Sequence, residues 1–154
     1  MFMQEVLQAL ADKGLTLGSV ESMTGGLFAS EATSIPGASA VFKGAIVSYA
    51  EEVKVNLVGV SEKSIKDEGI VSAQVAAEMA NLGRKKLGVD VCVSVTGNAG
   101  PTAQEGEAGV GEFFLGLSTK EACWTLPYKL EGKRNEIRAG AVDLMIQFLA
   151  SFLK

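Results

Sequence analysis

The stretch VESMTGGLFASE, from Val20 to Glu31, places two hydroxyls, those of Ser22 and Thr24, beside a carboxylate in the turn between a strand-like and a helix-like segment. Side-chain oxygens and free backbone N–H groups at such a junction can receive an anion or a developing oxyanion. Ser and Thr are also ordinary helix caps, so local chemistry alone leaves both roles open. The chain contains no histidine. That excludes Ser-His-Asp and Cys-His catalysis within one chain, and with them the zinc sites that rely on imidazole. A base must come from Lys, Asp, Glu, Tyr or water. Lys54, five residues after Tyr49, is expected on the first turn of a helix, where an isolated lysine is usually a solvated cation. Arg134 opens the last expected helix, where a cation opposes the macrodipole and invites a bound anion. Ser39, in PGASAVF, reads locally as a turn or cap residue.

The glycine patterns exclude three familiar sites. No Lys-Ser or Lys-Thr follows Gly25 and Gly26 at Walker spacing, there is no GxSxG, and TGNAGP does not match GxGxxG.

The elements that must position these residues follow from periodicity. Phe2, Val6, Leu7 and Leu10 fall at helical spacing and Gly14 supplies a stop. Leu15 to Ser22 reads as a strand, and GGLFASEATSI as a short helix ended by Pro36. Gly44 to Ala50 is an expected second strand, followed by a helix, EEVKVNLVGV, closed at Gly59. Ser72 is a candidate N-cap for AQVAAEMANLGRKKLG. Val89 to Gly97 is β-branched with little alternation, as in a central strand covered on both faces. EFFLGLST and EACWTLPYKL suggest an antiparallel pair, and RNEIRAGAVDLMIQFLASFLK a long closing helix. This order predicts a three-layer α/β/α domain with a mixed central sheet, occupying residues 1–154 as a single domain. The Gly-rich connection Asn98 to Gly111 leaves the C-terminal end of the expected central strand, where open α/β sheets bind ligands.

Composition narrows the classes further. At 154 residues the chain fits one domain, its 47% hydrophobic content is globular, and no apolar run approaches a membrane span of about 20 residues. No signal-peptide pattern opens it, so a soluble cytoplasmic protein is expected. A net charge of −4 with no Lys/Arg run beyond GRKK argues against nucleic acid. Cys92 and Cys123 lack CxxC spacing and are expected as small core residues, and no cluster of ligands suggests a metal. The apolar residues of MIQFLASFLK spread over more than one face, which suggests a homo-oligomer, a dimer first.

Taken together, VESMTGGLFASEATSIPGASAVFKGAIVSYAEEVK, GIVSAQVAAEMA, SVTGNAGP and GKRNEIR resemble the CinA C-terminal domain family, the nicotinamide mononucleotide deamidases. The resemblance implies a compact α/β/α amidohydrolase that needs no cofactor or metal and converts nicotinamide mononucleotide to nicotinate mononucleotide and ammonia with a serine and a lysine. Carried over by motif position, it implies Ser39 as preferred nucleophile with Ser22 as rival, Lys54 as general base and Tyr49 orienting the lysine. Thr24, Gly25, Thr96 and Gly97 are then expected around the substrate, with Arg134 on the 5′-phosphate. Met23 stands where the family usually has cysteine, Lys133 where it has aspartate, and the loop PTAQEGEAGVGEF also differs. A catalytically silent nucleotide- or protein-binding module of the same fold is the alternative.

Overall fold

The computed structural model describes residues 1–154. Its centre is a five-stranded mixed sheet of order β2-β1-β3-β4-β5, formed by β1 (Leu17–Glu21), β2 (Phe42–Val47), β3 (Val91–Gly97), β4 (Glu112–Ser118) and β5 (Cys123–Lys129). The first three run parallel and the last two add antiparallel. β3 is the central strand, and residues Val91 to Thr96 are all buried, as its β-branched run predicts.

On one face lie α1 (Met3–Asp12), α2 (Leu27–Thr33) and α6 (Arg134–Phe152). Leu10, Phe28, Ile137, Met145 and Leu149 meet Val93, Val95, Phe113, Leu115 and Leu117 in the larger core. The other face is covered by α5 (Ala73–Leu87), whose Val75 and Met79 pack with Val20, Val58, Val60 and Cys92 in a smaller core. Ser72 caps α5, its Oγ accepting from the Val75 N–H at 3.2 Å. Two short helices precede it, α3 (Glu51–Val53) and α4 (Glu62–Glu68).

The periodicity misplaces some detail. β2 starts at Phe42, two residues before the expected Gly44, because Leu17 pairs with Phe42 across a register shift. The expected helix after β2 is one α turn that widens into a π turn, Lys54–Val58, closed by Gly59 in the left-handed region. Such turns carry an unpaired residue in the ladder and recur at functional sites. α4 was not expected at all; only the Ser61 cap, which accepts from Ser64 N–H, marks its start in SEKS.

Both cysteines sit on the α5 side of the sheet as free thiols, and burial pushes Cys92 up to about 12, far from nucleophilic use. On α6 the apolar positions are divided between the core and a surface patch where Phe152 lies 6.0 Å from Trp124, ring to ring. No helix is long and apolar enough to cross a membrane.

Candidate active site

The first crossover, β1 to β2, passes over one face of the sheet, and the second, β2 to β3, over the other. The C-terminal ends of β1 and β3 therefore border the crevice that such a switch in strand order opens. A cavity of about 260 Å³ lies there, lined by Ser22 after β1, Tyr49 after β2, Lys54 on the π turn, Thr96 and Gly97 at the end of β3, and Arg134 at the start of α6. A second space of about 250 Å³ continues it, sharing Ile70, Val71, Gly97 and Asn98.

Ser22 and Lys54 are 32 positions apart in sequence and in contact here: Lys54 Nζ is 2.9 Å from Ser22 Oγ. Both are buried, Lys54 at 1% exposure and Ser22 at 6%. The remaining donors of the ammonium go to the carbonyl oxygens of Ser48 and of Tyr49, the latter at 3.3 Å. These acceptors fix the amine beside the serine. Burial outweighs the opposing pull of Glu51 and brings the Lys54 ammonium from an ordinary 10.5 down to about 8. A lysine so placed is neutral in an appreciable fraction near neutral pH and can accept a proton from the hydroxyl it touches.

Ser39 is not brought into this cluster. It is exposed on a 3-10 turn, Ala38–Ala40, with its carbonyl accepting from Lys43 Nζ at 2.9 Å. The reason is topological. Ser39 precedes β2 whereas Ser22 follows the parallel β1, so the two serines lie at opposite ends of the sheet, separated by about 20 Å for a six-residue strand at about 3.3 Å per residue. The geometry thus places Ser22, and not Ser39, against the lysine.

Other expected roles shift as well. Tyr49 holds the lysine by its main-chain carbonyl; its side chain is 62% exposed, and its hydroxyl accepts from Arg134 Nη2 at 3.0 Å. Arg134 also donates to the Gly100 carbonyl, which ties α6 to the Asn98–Gly111 loop. Thr96 donates its hydroxyl to the Ile70 carbonyl at 2.9 Å, fixing the wall shared by both spaces. Gly97 is required by close approach: a Cβ there would stand 2.2 Å from Phe113 Cβ and 2.9 Å from the Glu112 carbonyl. Thr24 and Gly25 do not line the cavity. The Thr24 hydroxyl is buried and donates to Glu21 Oε1 at 2.8 Å, and Gly25 supplies a left-handed φ of 60° in the turn.

Three residues that build the site, Glu21, Asn98 and Arg138, are not among the catalytic or binding candidates the sequence singles out. Glu21, fully buried at the end of β1, accepts from Ser19 Oγ, Thr24 Oγ1 and the N–H groups of Phe28 and Ala29, so it caps α2 from outside the helix and sets the Ser22 turn. Asn98 organises the long loop, donating to the carbonyls of Thr102 and Ala108 while its Oδ1 accepts from Gly100 N–H. Arg138, one helical turn after Arg134, donates to the main-chain carbonyls of Met23 and Thr24. An arginine repeated at i+4 was the available hint, but its partners lie more than a hundred residues away in sequence.

An α/β/α domain with a buried lysine against a serine at its strand-order switch is the class these features define. The CinA C-terminal domain family matches residues 1–153, and the chain belongs to that family. It is 39% identical over 151 residues to a putative competence-damage inducible protein of Bacillus pumilus, covering 98% of this chain and 36% of that protein. It is also 44% identical over 149 residues to a CinA-like protein of Frankia casuarinae, covering 94% of this chain and 34% of the relative. The chain thus spans about a third of the length of these relatives. Among solved structures, a competence or damage-inducible protein from Enterobacter asburiae shares the fold with a TM-score of 0.96 at 22% identity, over 99% of this chain and 96% of that one. A competence/damage inducible protein from Agrobacterium tumefaciens superposes with a TM-score of 0.91 at 29% identity, over 99% and 93% of the two chains.

Proposed function

We propose that this chain is an amidohydrolase that converts nicotinamide mononucleotide to nicotinate mononucleotide and ammonia, with Ser22 as nucleophile and Lys54 as general base. The contact of 2.9 Å between the buried Lys54 amine and the Ser22 hydroxyl carries the proposal, and the resemblance of the motifs supplies the substrate. Neutral Lys54 takes the Ser22 proton as Oγ bonds to the carboxamide carbon, and the carbonyl π electrons move to oxygen. The Lys54 ammonium then returns the proton to the amide nitrogen, the C–N bond breaks, and ammonia leaves an ester on Ser22. Water, deprotonated by the again neutral Lys54, adds to the ester carbon; collapse of the second adduct expels Ser22 Oγ, which regains a proton, and releases the carboxylate. The two connected spaces suit a mononucleotide, the reacting ring beside Ser22 and the phosphate toward Arg134.

The pH dependence follows from the lysine. Because the neutral amine is the active form and its proton is lost near 8, kcat/KM is expected to rise about tenfold per pH unit below 8 and level off above it. A profile flat from pH 6 to 9 would contradict Lys54 as base. The phosphate contact has its own signature. Arg134→Ala is expected to raise KM for nicotinamide mononucleotide about tenfold with kcat changed less than about twofold, because that contact is made alike in ground and transition states. Nicotinamide riboside, which lacks the phosphate, should be affected far less. Incubation of the purified chain with nicotinamide mononucleotide, following ammonia and nicotinate mononucleotide, tests the activity itself. Binding without turnover would favour the silent module.

A further inference from the structure

The proposed mechanism leaves one charged side chain beside the nucleophile without a role. Arg138 reaches from α6 across to the Ser22 turn, where its Nε donates to the Met23 carbonyl at 2.9 Å and its Nη2 to the Thr24 carbonyl at 3.0 Å. Its remaining arm, Nη1, donates to Asn135 Oδ1 at 3.0 Å, which locks the guanidinium plane. The approach is close enough that a Cβ on Gly25 would stand 3.3 Å from Nη2. No carboxylate pairs with this arginine, so its charge is directed at main-chain dipoles.

In a trans peptide the C=O and N–H point in opposite directions. Anchoring the Met23 carbonyl to Arg138 therefore fixes the Thr24 N–H on the side away from Arg138, and anchoring the Thr24 carbonyl does the same for Gly25 N–H. Gly25 N–H is used within the turn, donating to the Ser22 carbonyl at 3.0 Å, whereas Met23 N–H and Thr24 N–H meet no acceptor in the protein. Two unengaged donors thus follow Ser22 immediately in the chain; Met23 N–H lies in the peptide whose Ser22 carbonyl accepts from Gly25 N–H, and the next two peptides are held from α6 by one guanidinium.

We propose that Arg138 is a positioning residue: it clamps the Met23 and Thr24 carbonyls so that the turn holds Met23 N–H, the unengaged donor on the cavity wall, toward the oxyanion formed when Ser22 adds to the carboxamide. The clamp rests on the serine–lysine reading above but not on the identity of the amide. Its positive charge also lies behind the polarised peptides, which strengthens the donors at the moment charge develops. α6 then serves the site twice, through Arg134 toward the substrate and through Arg138 toward the nucleophile.

The test compares Arg138→Ala and Arg138→Lys with the parent chain in two assays: hydrolysis of nicotinamide mononucleotide, and phosphonylation of Ser22 by a small alkyl fluorophosphonate. In the latter, Oγ bonds to phosphorus, fluoride leaves, and Lys54 takes the proton. Arg138→Ala is expected to lose about 10²-fold in kcat, the scale of one oxyanion donor, with KM within about threefold and an unchanged pH midpoint. Phosphonylation should slow in parallel, and Arg138→Lys should recover about tenfold of the loss in both assays. Wild-type kcat and phosphonylation in Arg138→Ala, a loss confined to KM, or a loss that merely follows the folded fraction would each overturn the clamp. Should Arg138→Ala fail to fold, Arg138→Lys decides alone: about tenfold slower phosphonylation supports the clamp, and the parent rate overturns it. A parent chain that is phosphonylated at Ser22 yet leaves nicotinamide mononucleotide intact removes the proposed substrate, and the phosphonylation rates still decide the clamp.

Discussion

Ser22→Ala is expected to lower kcat for nicotinamide mononucleotide by about 10⁴-fold or more, the scale seen when a nucleophilic serine is removed from a serine–base pair, whereas Ser39→Ala should retain kcat within about twofold. The asymmetry follows from position. Ser22 is buried against Lys54, while Ser39 is exposed at the far end of β2 with no contact to the amine. KM should change little in Ser22→Ala, because the cavity walls contributed by Thr96, Gly97 and Arg134 remain. Initial rates of ammonia release for the two alanine variants settle the matter. Loss of turnover in Ser39→Ala with full turnover in Ser22→Ala would reverse the assignment.

Lys54→Met is the second large effect, and it has two parts. Methionine keeps the length of the stem and deletes the amine, so kcat is expected to fall by about 10³-fold or more while the nucleotide still binds. The same change alters stability in a pH-dependent way. In the unfolded chain Lys54 holds its proton up to about 10.5, but in the folded chain only up to about 8. Below pH 8 both states are charged and the folded state bears the full cost of a buried ammonium. Between 8 and 10.5 only the unfolded state remains charged, so stability rises with pH across that window. At about 1.4 kcal/mol per pKa unit the difference is about 3 kcal/mol. Lys54→Met abolishes this dependence and leaves the carbonyls of Ser48 and Tyr49 without their donor, at about 1 to 3 kcal/mol each. The expected observation is therefore a stability difference between variant and parent that moves by about 3 kcal/mol in favour of the parent from pH 7 to pH 10.5. Denaturant titrations at both pH values measure it, and a constant difference would show that Lys54 is not held at a lowered pKa.

Much of the architecture was legible because it rests on local periodicity. The stripe of Val75 and Met79 behind the Ser72 cap, the β-branched run of β3 and the adjacent strands β4 and β5 are each written in contiguous residues, and together they determine the layers. The π turn was not legible, since a single extra residue in a helical ladder leaves the apolar pattern almost unchanged over five residues. The site was legible as a set of residue types and less so as a geometry. Lys54, Ser22, Thr96 and Arg134 converge on one cavity as their motifs imply. The choice between two serines depends instead on which end of a parallel strand each occupies, a property of chain direction and sheet order that neither PGASA nor ESMTGG contains. Thr24 reads as a substrate contact for the same reason. Its hydroxyl is in fact turned inward to Glu21, a carboxylate whose four donors come from both sides of the turn. For Arg138 the repeat four residues after Arg134 is the one hint, because the value of its guanidinium lies in two carbonyls contributed by the other end of the chain.

The central claim is that Ser22, activated by Lys54, becomes acylated by the carboxamide it hydrolyses. Rapid acid quenching during turnover of nicotinamide mononucleotide, followed by peptide mass spectrometry, examines that bond directly. The expected result is a transient ester carrying the nicotinate mononucleotide acyl group on the peptide containing Ser22, absent from Ser22→Ala and formed far more slowly in Lys54→Met. An acyl group found on Ser39, or turnover at full rate with no acylated peptide at any time, would contradict the account.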